Sequence, residues 1–400
     1  MKIRKIGIVA DGFINWGGGI DLIRFITMAL LIDKSYEIVL LIPKKNDTKR
    51  WIKNILKKII KREGVQKLNL HAFDEFKSQV TLRLYKDNLK CLEKVVRKEK
   101  IDILIPCIYP IKGLIRFPSV GYLYDFQHKY YPQFFSREEI DYRDKLFGEM
   151  VDMNSALIVN SLEVKKDILK FYPKSTCRIF SLPFCPVFIK SNINGNFYSI
   201  KQVYGLPDKF FLISNQFWMH KSHITAFEAL RLMYNSLNSE EVKIVCTGDF
   251  QDYRSNRYFL SLKEKIEFLG LQKHIFFLGY IPKAHQIQIL LNSIAVIQPT
   301  LFEGGPGGGA VYEAVAYGKS SIVSDIPINL EIESELVTFF KAGDSKDLAI
   351  KMQESFINFN IENVSKVDYS YLENISIVRL TRLKAALDKA INYELENWNK

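Results

Sequence analysis

Two glutamates flank a run of glycines in the segment LFEGGPGGGAVYEAVAYG, residues 301–318. Glu303 and Glu313 are ten positions apart, with five glycines between them. Glycine allows the backbone to approach a ligand closely, and we expect a helix to begin near Ala310 with Glu313 in its first turn. A helix N-terminus favours a diphosphate, and carboxylates beside it can accept hydrogen bonds from vicinal hydroxyls, as on a sugar or a ribose. The plain alternatives are a solvated loop residue for Glu303 and a helix-dipole residue for Glu313.

A second glycine run occurs near the start of the chain, in ADGFINWGGGIDLIRF. We expect a strand to end at Ala10, a glycine loop over 17–19 to follow, and a helix to begin near Ile20. Backbone N–H groups in such a loop face an anion. The spacing differs from the GxGxxG of dinucleotide-binding loops, and the second predicted strand ends in IPKK, without an acidic residue for a ribose. An NAD-dependent oxidoreductase is therefore disfavoured, and a turn without a ligand is the alternative.

Short β-rich runs alternate with segments of helical periodicity along most of the chain. Candidate strands lie at 6–10, 36–42, 67–73, 102–108, 120–125 and 155–161, and again at 210–215, 242–248, 274–280, 294–299, 320–325 and 336–340. This rhythm predicts an α/β protein with two doubly wound, Rossmann-like domains. We assign 1–190 to the first domain, 191–370 to the second, and 371–400 to C-terminal helices that pack back toward the first. Ligands of such sheets bind beyond the carboxyl ends of the strands, so the glycine loops should line a cleft between the domains.

Composition and charge narrow the class of protein. Of the 400 residues, 48% are hydrophobic and 25% are charged, which is typical of a globular protein. Residues 1–200 contain 35 Lys and Arg against 21 Asp and Glu, so the positive charge is concentrated in the first half. A basic half suits nucleic acid, an anionic membrane or a phosphorylated ligand. Because the chain shows no zinc finger, ribonucleoprotein aromatic motif or Arg-rich tail, we expect no nucleic-acid partner.

Cysteines and apolar segments indicate the compartment. The five cysteines are scattered and lack CxxC spacing, which favours reduced thiols in a cytosol. The apolar run 6–10 is too short for a signal peptide, and no segment reaches about 18 uninterrupted apolar residues, so we expect a cytoplasmic protein. The segment 49–64, KRWIKNILKKIIKREG, combines an apolar stripe with surrounding lysines. It predicts a helix that lies on the inner face of the cytoplasmic membrane, and a helix packed on its own domain is the alternative.

Taken together, these motifs resemble the retaining glycosyltransferases of family 4, which have the GT-B fold of two Rossmann-like domains facing a cleft. The resemblance covers nearly the whole chain, and its most specific parts are 120–136, 213–230 and 294–331. It implies an enzyme that moves a sugar from a UDP- or GDP-linked donor to a glycan or lipid-linked acceptor. It further implies retention of configuration, no metal or other cofactor, and a role in bacterial surface polysaccharide synthesis.

The resemblance also assigns roles to the residues of the second domain. Glu313 would accept hydrogen bonds from the donor ribose, and Glu303 would lie near the transferred sugar and its anomeric centre. The family spacing is E-x7-E, whereas this chain has E-x9-E, so the loop is two residues longer. Lys221 resembles the lysine that meets the donor diphosphate, and the alternative for this residue is an ordinary surface lysine. Asn215 occupies the place of an arginine that is common in the family. The expected backbone donors are Gly17, Gly18, Gly19, Gly304, Gly305, Gly307 and Gly308.

A histidine completes the catalytic set that the resemblance implies. His128 is the candidate for the histidine that faces the cleft and touches the donor sugar, and a structural histidine is the alternative. Asp125 would support His128 or contact the acceptor. Tyr124 stands where another form of the motif has histidine, and is a second acceptor-side candidate. His220 and His223 flank Lys221, but no carboxylate or cysteine near them completes a set of metal ligands, so we expect no metal site.

Two other functions fit the same fold. A nucleotide-sugar 2-epimerase would release its product without an acceptor, and its pattern of catalytic acids is not evident. An inactive scaffold would bind a nucleotide or a partner without turnover. Retention of Glu303, Glu313 and Lys221 together favours the transferase.

Overall fold

The structure is a computed structural model that describes residues 3–14, 17–44, 73–111, 116–250, 257–359 and 368–398. In its first part the described strands are β1 (Arg4–Val9), β2 (Tyr36–Lys44), β3 (Thr81–Lys86), β4 (Ile103–Cys107), β5 (Ser119–Leu123), β6 (Ala156–Val159) and β7 (Arg178–Ser181). They pair in parallel in the order β3-β2-β1-β4-β5-β6-β7. The described helices of this part are α1 (Gly17–Leu31), α2 (Leu89–Glu99), α3 (Gln127–Tyr130), α4 (Arg137–Met153) and α5 (Leu162–Phe171).

A second parallel sheet follows in the described residues. Its strands are β8 (Phe210–Ser214), β9 (Lys243–Thr247), β10 (Ile275–Gly279), β11 (Val296–Gln298), β12 (Ser321–Ser324) and β13 (Val337–Phe340), in the order β10-β9-β8-β11-β12-β13. The accompanying helices are α6 (Phe197–Tyr204), α7 (His223–Leu237), α8 (Tyr258–Phe268), α9 (Lys283–Asn292), α10 (Gly308–Ala316), α11 (Ser345–Ile357) and α12 (Tyr369–Trp398). Both strand orders step outward from a central strand in two directions, as in doubly wound sheets. The predicted fold class of two Rossmann-like domains is confirmed.

The strands that sequence patterning missed are the two edges of the first sheet. Both β3 and β7 carry exposed or half-exposed side chains, so neither presents the continuous apolar run of a central parallel strand. Central strands such as β4 and β5 are buried at every position, and their apolar runs were recognised. The strand predicted at 67–73 lies, except for Phe73, outside the described residues, and Phe73 itself is in a turn.

The last helix links the two halves of the chain. Leu383, Leu387 and Ile391 of α12 are buried in the same apolar cluster as β1 and α1, whereas Leu372 at its start belongs to a cluster of the second sheet. The helix therefore spans both domains and completes the core of the first. Of the helices that the structure describes, none is both long and apolar enough to cross a membrane.

The carboxyl ends of the two sheets meet. Glu331, in a short 3-10 turn after β12, accepts hydrogen bonds from the backbone N–H groups of Leu162 and Glu163 at 2.7 and 2.8 Å. A carboxylate of the second domain thus satisfies the first turn of α5 in the first domain. Tyr131, after α3, donates to the carbonyl of Leu301, after β11, at 3.2 Å. Loops that follow strands of one sheet therefore contact loops that follow strands of the other.

Candidate functional site

The loop after β11 is tied to the turn after β8. The backbone N–H of Leu301 donates to the carbonyl of His220 at 2.7 Å, and the hydroxyl of Thr300 donates to the same carbonyl at 3.2 Å. Lys221 is the next residue of this turn, and Glu303 is two residues beyond Leu301. These bonds bring Lys221 and Glu303 together although 82 positions separate them.

Glu303 is a buried carboxylate with two donors on one oxygen. Lys221 Nζ lies 2.5 Å from Glu303 Oε1, and Gln298 Nε2 donates to the same oxygen at 2.8 Å. The side chains of Glu303 and Lys221 are only 8% and 11% exposed, so each charge depends on the other for compensation. A cation and a carboxylate therefore lie together beside the glycine loop.

Glu313 is the centre of a second, similar arrangement. It lies in the second turn of α10, not the first, because the helix begins at Gly308 and not near Ala310. Lys283 Nζ contacts Glu313 Oε1, and Gln286 Nε2 donates to Glu313 Oε2 at 3.0 Å. Lys283 and Gln286 are one turn apart on α9, so a single helix face supplies both donors.

The two arrangements meet at the carboxyl end of β8. Gln286 Nε2 also donates to the hydroxyl of Ser214 at 2.5 Å, and Thr247 Oγ1 donates to the same hydroxyl at 2.9 Å. The next residue, Asn215, donates through Nδ2 to Gln298 Oε1 at 2.9 Å. Polar side chains that follow or end β8, β9 and β11 thus form a row with a lysine–glutamate pair at each end.

Sequence reasoning missed five members of this row: Ser214, Thr247, Lys283, Gln286 and Gln298. Gln298 is a polar residue inside the predicted strand 294–299, and its position at the end of an otherwise apolar strand was an available signal. Lys283 and Gln286 follow the strand 274–280 closely, where the rule on carboxyl ends also applies. Nothing in the local pattern distinguishes them from surface residues of a helix.

The glycines of the loop serve mainly as close-approach positions. A Cβ atom on Gly304 would lie 2.7 Å from the carbonyl oxygen of Tyr124 in the other domain, and one on Gly305 would lie 3.3 Å from the Cβ of Asn160. The N–H of Gly307 donates to Asn329 Oδ1 at 2.8 Å, and that of Gly308 to the carbonyl of Gly305 at 3.3 Å. Gly307 and Gly308 are therefore already engaged inside the protein, contrary to the prediction that they donate to a ligand, while that role for Gly304 and Gly305 stays a prediction.

The first glycine run is part of a helix. Gly17, Gly18 and Gly19 form the first turn of α1, so the helix begins three residues earlier than expected and the predicted loop over these positions is wrong. Gly17 and Gly18 are exposed, which leaves the helix N-terminus accessible, and an anion-binding role there stays a prediction. Further along α1, Asp21 and Arg24 lie within electrostatic range of Lys283. Burial lowers the pKa of Lys283, Asp21 raises it and Arg24 lowers it.

His128 lies away from the row of polar side chains. Its side chain has no exposed surface, and Nε2 donates to Asp144 Oδ1 at 2.9 Å. The ring packs among Phe126, Phe135 and Phe147. Burial lowers the pKa of His128, and the hydrogen bond to Asp144 opposes this effect. The partner of His128 is thus Asp144 and not Asp125, and in this conformation the imidazole is enclosed by its own domain instead of facing the cleft.

Asp125 and Tyr124 do border the cleft. Asp125 Oδ1 accepts a hydrogen bond from the backbone N–H of Gln127 at 2.9 Å and lies 3.4 Å from Arg143 Nη1. The Arg143 guanidinium also lies over the ring of Tyr124, 5.4 Å from its centroid. Gly304, the residue after Glu303, approaches Tyr124 and Asp125 directly, so these two residues of the first domain border the glycine loop. Their acceptor-side role stays a prediction.

The two histidines beside Lys221 are core residues. His223 is fully buried and stacks on Phe217, with ring centroids 4.2 Å apart. Burial lowers the pKa of His223 to about 3, with a smaller contribution from the charge of Lys221, so the ring is neutral at physiological pH. His220 is buried and supplies the carbonyl that holds the loop after β11. Among the described residues there is no group of three or more His, Cys, Asp or Glu placed to hold a metal ion.

Part of the chain matches a known family. Residues 198–359 match the model of the family described as glycosyl transferases group 1. This range includes Lys221, Glu303 and Glu313 together with the rest of the polar row. No curated protein sequence matches the chain.

Solved structures resemble the chain over almost its whole length. Alr3699/HepE of Anabaena, in complex with UDP and glucose, has 15% identity and a TM-score of 0.63, and the match covers 97% of this chain and 99% of that one. Sucrose-phosphate synthase of Thermosynechococcus elongatus has 12% identity and a TM-score of 0.62, over 99% and 100% of the two chains. WaaG, a glycosyltransferase involved in lipopolysaccharide biosynthesis, has 12% identity and a TM-score of 0.56, over 97% and 98%. At these identities the likeness concerns the fold, and it confirms the predicted GT-B architecture.

We predict that Gly308→Ala destabilises the protein whereas Gly309→Ala does not. Gly308 has φ +61°, and a Cβ there would lie 3.0 Å from Glu303 Oε2 and 3.2 Å from Gln298 Nε2. The left-handed backbone alone costs a non-glycine residue roughly 1–2 kcal/mol. Gly309 follows in the same helix with no atom within 4 Å of its Cβ position, so alanine there is neutral or slightly stabilising. Urea denaturation of the two variants measures this difference, and equal midpoints would contradict it.

We predict that His223 makes folding stability fall in mild acid. Its pKa is lowered to about 3 in the folded protein, so below about pH 6.5 the unfolded chain takes up a proton that the folded chain does not. The contribution of His223 to the free energy of unfolding is fully present at neutral pH and decreases by about 2 kcal/mol on going to about pH 5. His223→Phe should remove that part of the pH dependence. Denaturation curves of both proteins at the two pH values measure it, and parallel losses would show that another group is responsible.

Proposed function

We propose that this protein is a glycosyltransferase that moves a sugar from a nucleotide-sugar donor to a glycan or lipid-linked acceptor. The observation that carries the proposal is the polar row at the carboxyl end of the second sheet, in which Lys221 pairs with Glu303 and Lys283 pairs with Glu313. All four residues lie within the part of the chain that matches glycosyl transferases group 1. The similar HepE structure contains UDP and glucose, which supports a nucleotide-sugar as the donor.

The donor would lie along the row of polar side chains. In our proposal Glu313 accepts hydrogen bonds from the ribose, Lys221 meets the diphosphate, and Glu303 contacts hydroxyls of the transferred sugar. We place the ribose, diphosphate and sugar in this order because Ser214 and Asn215 lie between Glu313 and Glu303 in the network of hydrogen bonds. Asn215 Oδ1 is buried and has no hydrogen-bond partner within the described ranges. A hydrogen-bond donor of the bound nucleotide-sugar would satisfy this oxygen. The nucleobase is uracil or guanine.

The reaction would proceed with retention of configuration and without a metal. In a front-face substitution the bond between the anomeric carbon and the phosphate oxygen breaks, and the acceptor oxygen bonds to the same face. The proton of the acceptor hydroxyl passes to the departing phosphate oxygen, so the mechanism requires no protein base. Lys221 would stabilise the charge that develops on the diphosphate, and the rest of the catalysis is positioning. Glu303 Oε1 already receives two donors, which makes this carboxylate a poor nucleophile for a double displacement.

We predict that nucleotide binding depends on Glu313. UDP or GDP should raise the melting temperature of the wild-type protein, and Glu313→Ala should remove most of the rise because the ribose loses its acceptor while the diphosphate contacts remain. Lys221→Met serves as the matched variant. It should retain binding through the ribose but lower the turnover of the nucleotide-sugar by about a hundredfold or more, the usual effect of removing one charge-stabilising donor.

The measurements are differential scanning fluorimetry with UDP, GDP and their sugar conjugates, and release of free nucleoside diphosphate. A thermal shift that persists undiminished in Glu313→Ala means that the donor binds elsewhere. Binding of the donor without any release of diphosphate supports an inactive scaffold, and formation of an epimeric nucleotide-sugar supports an epimerase.

The acceptor would be bound by the first domain at the cytoplasmic face of the membrane, in surface polysaccharide synthesis. The likeness to WaaG, which is involved in lipopolysaccharide biosynthesis, supports this role. The basic amphipathic segment 49–64, on which the membrane contact rests, lies outside the described residues.

We predict that the protein associates with anionic liposomes more than with neutral ones. Lysines around an apolar stripe gain roughly 1 kcal/mol each near an anionic surface. Sedimentation with vesicles of phosphatidylcholine, with and without phosphatidylglycerol, measures the partition. The preference for anionic vesicles should disappear when lysines of 49–64 are replaced by glutamine. Equal partition of the wild-type protein into the two kinds of vesicle would contradict the membrane contact.

A further inference from the structure

The two glutamates of the site are held in different ways. Both donors to Glu303, Lys221 and Gln298, reach the same oxygen, Oε1. The donors to Glu313 reach different oxygens, since Lys283 contacts Oε1 and Gln286 reaches Oε2 at 3.0 Å. A carboxylate held at one oxygen can still rotate about its last bond, whereas one held at both oxygens has its plane fixed. The structure therefore orients Glu313 beyond what charge compensation requires.

The groups that hold Glu313 are themselves fixed. Lys283 is the first residue of α9, directly after Pro282, and Gln286 follows one turn later on the same face. Gln286 Nε2 also donates to Ser214 Oγ at 2.5 Å, and that hydroxyl is held in turn by Thr247. The hydrogen bonds that hold Glu313 thus continue to Ser214 at the end of β8 and to Thr247 at the end of β9. Side chains anchored in this way are suited to fixing the geometry of a neighbour.

We propose that Lys283 and Gln286 are positioning residues that orient the Glu313 carboxylate toward the two vicinal hydroxyls of the donor ribose, and so make the protein select ribonucleotides over 2′-deoxyribonucleotides. The proposal rests on the function proposed above. An ionised carboxylate has about four lone-pair sites, and Lys283 and Gln286 occupy two of them. The remaining site on each oxygen is left for one hydroxyl. Loss of the 2′-hydroxyl then leaves one fixed acceptor unpaired, which is the basis of strong discrimination between substrates.

The experiment compares UDP with 2′-deoxy-UDP, and GDP with 2′-deoxy-GDP, by isothermal titration calorimetry on the full chain. The wild-type protein should bind the ribonucleotide at least about tenfold more tightly, as expected for a hydrogen bond to a charged group. In Glu313→Ala this ratio should fall to about one. In Lys283→Met and in Gln286→Leu it should fall at least halfway on a logarithmic scale, because the carboxylate is then free to rotate. Lys283→Arg keeps a cationic donor and should restore most of the ratio.

Gln288→Leu is the matched control. Gln288 is on the same helix and buried, but its Nε2 donates to the carbonyl of Ile193 at 2.6 Å and not to the site. This variant should lose thermal stability and keep the wild-type ratio. If Lys283→Met and Gln286→Leu likewise lose only stability while the ratio is unchanged, the positioning role is overturned. A wild-type ratio near one overturns the ribose selection, and a wild-type protein that binds none of the four nucleotides overturns the proposed function itself.

Discussion

A buried carboxylate is unfavourable unless a cation and hydrogen-bond donors meet it, and the site of this protein is organised around that requirement at Glu303. The cation comes from the turn after β8, and the amide donor comes from the end of β11. The two segments can meet only because their strands are neighbours in the sheet and because the carbonyl of His220 holds the loop after β11. Removing either charge would leave the other buried without compensation, so the pair couples the chemistry of the site to the packing of the domain.

The glycine loop allows the two domains to approach each other closely, in addition to any contact that it makes with a ligand. The loop follows Glu303 and contacts the backbone of the first domain, and Gly304 permits an approach to Tyr124 so close that a side chain would prevent it. The same approach of the two domains is stabilised by Glu331 at the start of α5 and by the long helix α12, which has buried residues in both cores. The position of Glu303 relative to Tyr124 and Asp125 is thus set by contacts spread along the whole chain.

Prediction from sequence succeeded where the physical signal is local. The strands of the second sheet and the central strands of the first contain short apolar runs, which is the pattern of buried parallel strands. The edge strands β10 and β13 keep this apolar pattern although most of their side chains are not fully buried. The edge strands β3 and β7 lack this signal, since basic residues such as Arg83, Lys86 and Arg178 interrupt or flank their apolar residues. The start of α1 was placed three residues late because glycine is a weak helix former, and its presence alone cannot show that the helix includes it.

The same distinction between local and non-local signals applies to the residues of the site. Glu303, Glu313, Lys221 and Asn215 could be named from the chain because each stands in a recognisable motif next to a predicted strand or helix. The partners that fix them could not, since Lys283 and Gln286 look like ordinary polar residues of a helix and acquire a role only because α9 packs beside α10, which carries Glu313. His128 shows the converse: its motif suggested the cleft, but the aromatic rings around it and Asp144 on α4 enclose it. The sequence by itself determined the fold class and three of the four charged groups, Lys221, Glu303 and Glu313, because periodicity and motifs are local properties. Only the tertiary structure decided which charges meet and added Lys283, because those contacts join residues that are far apart in the chain.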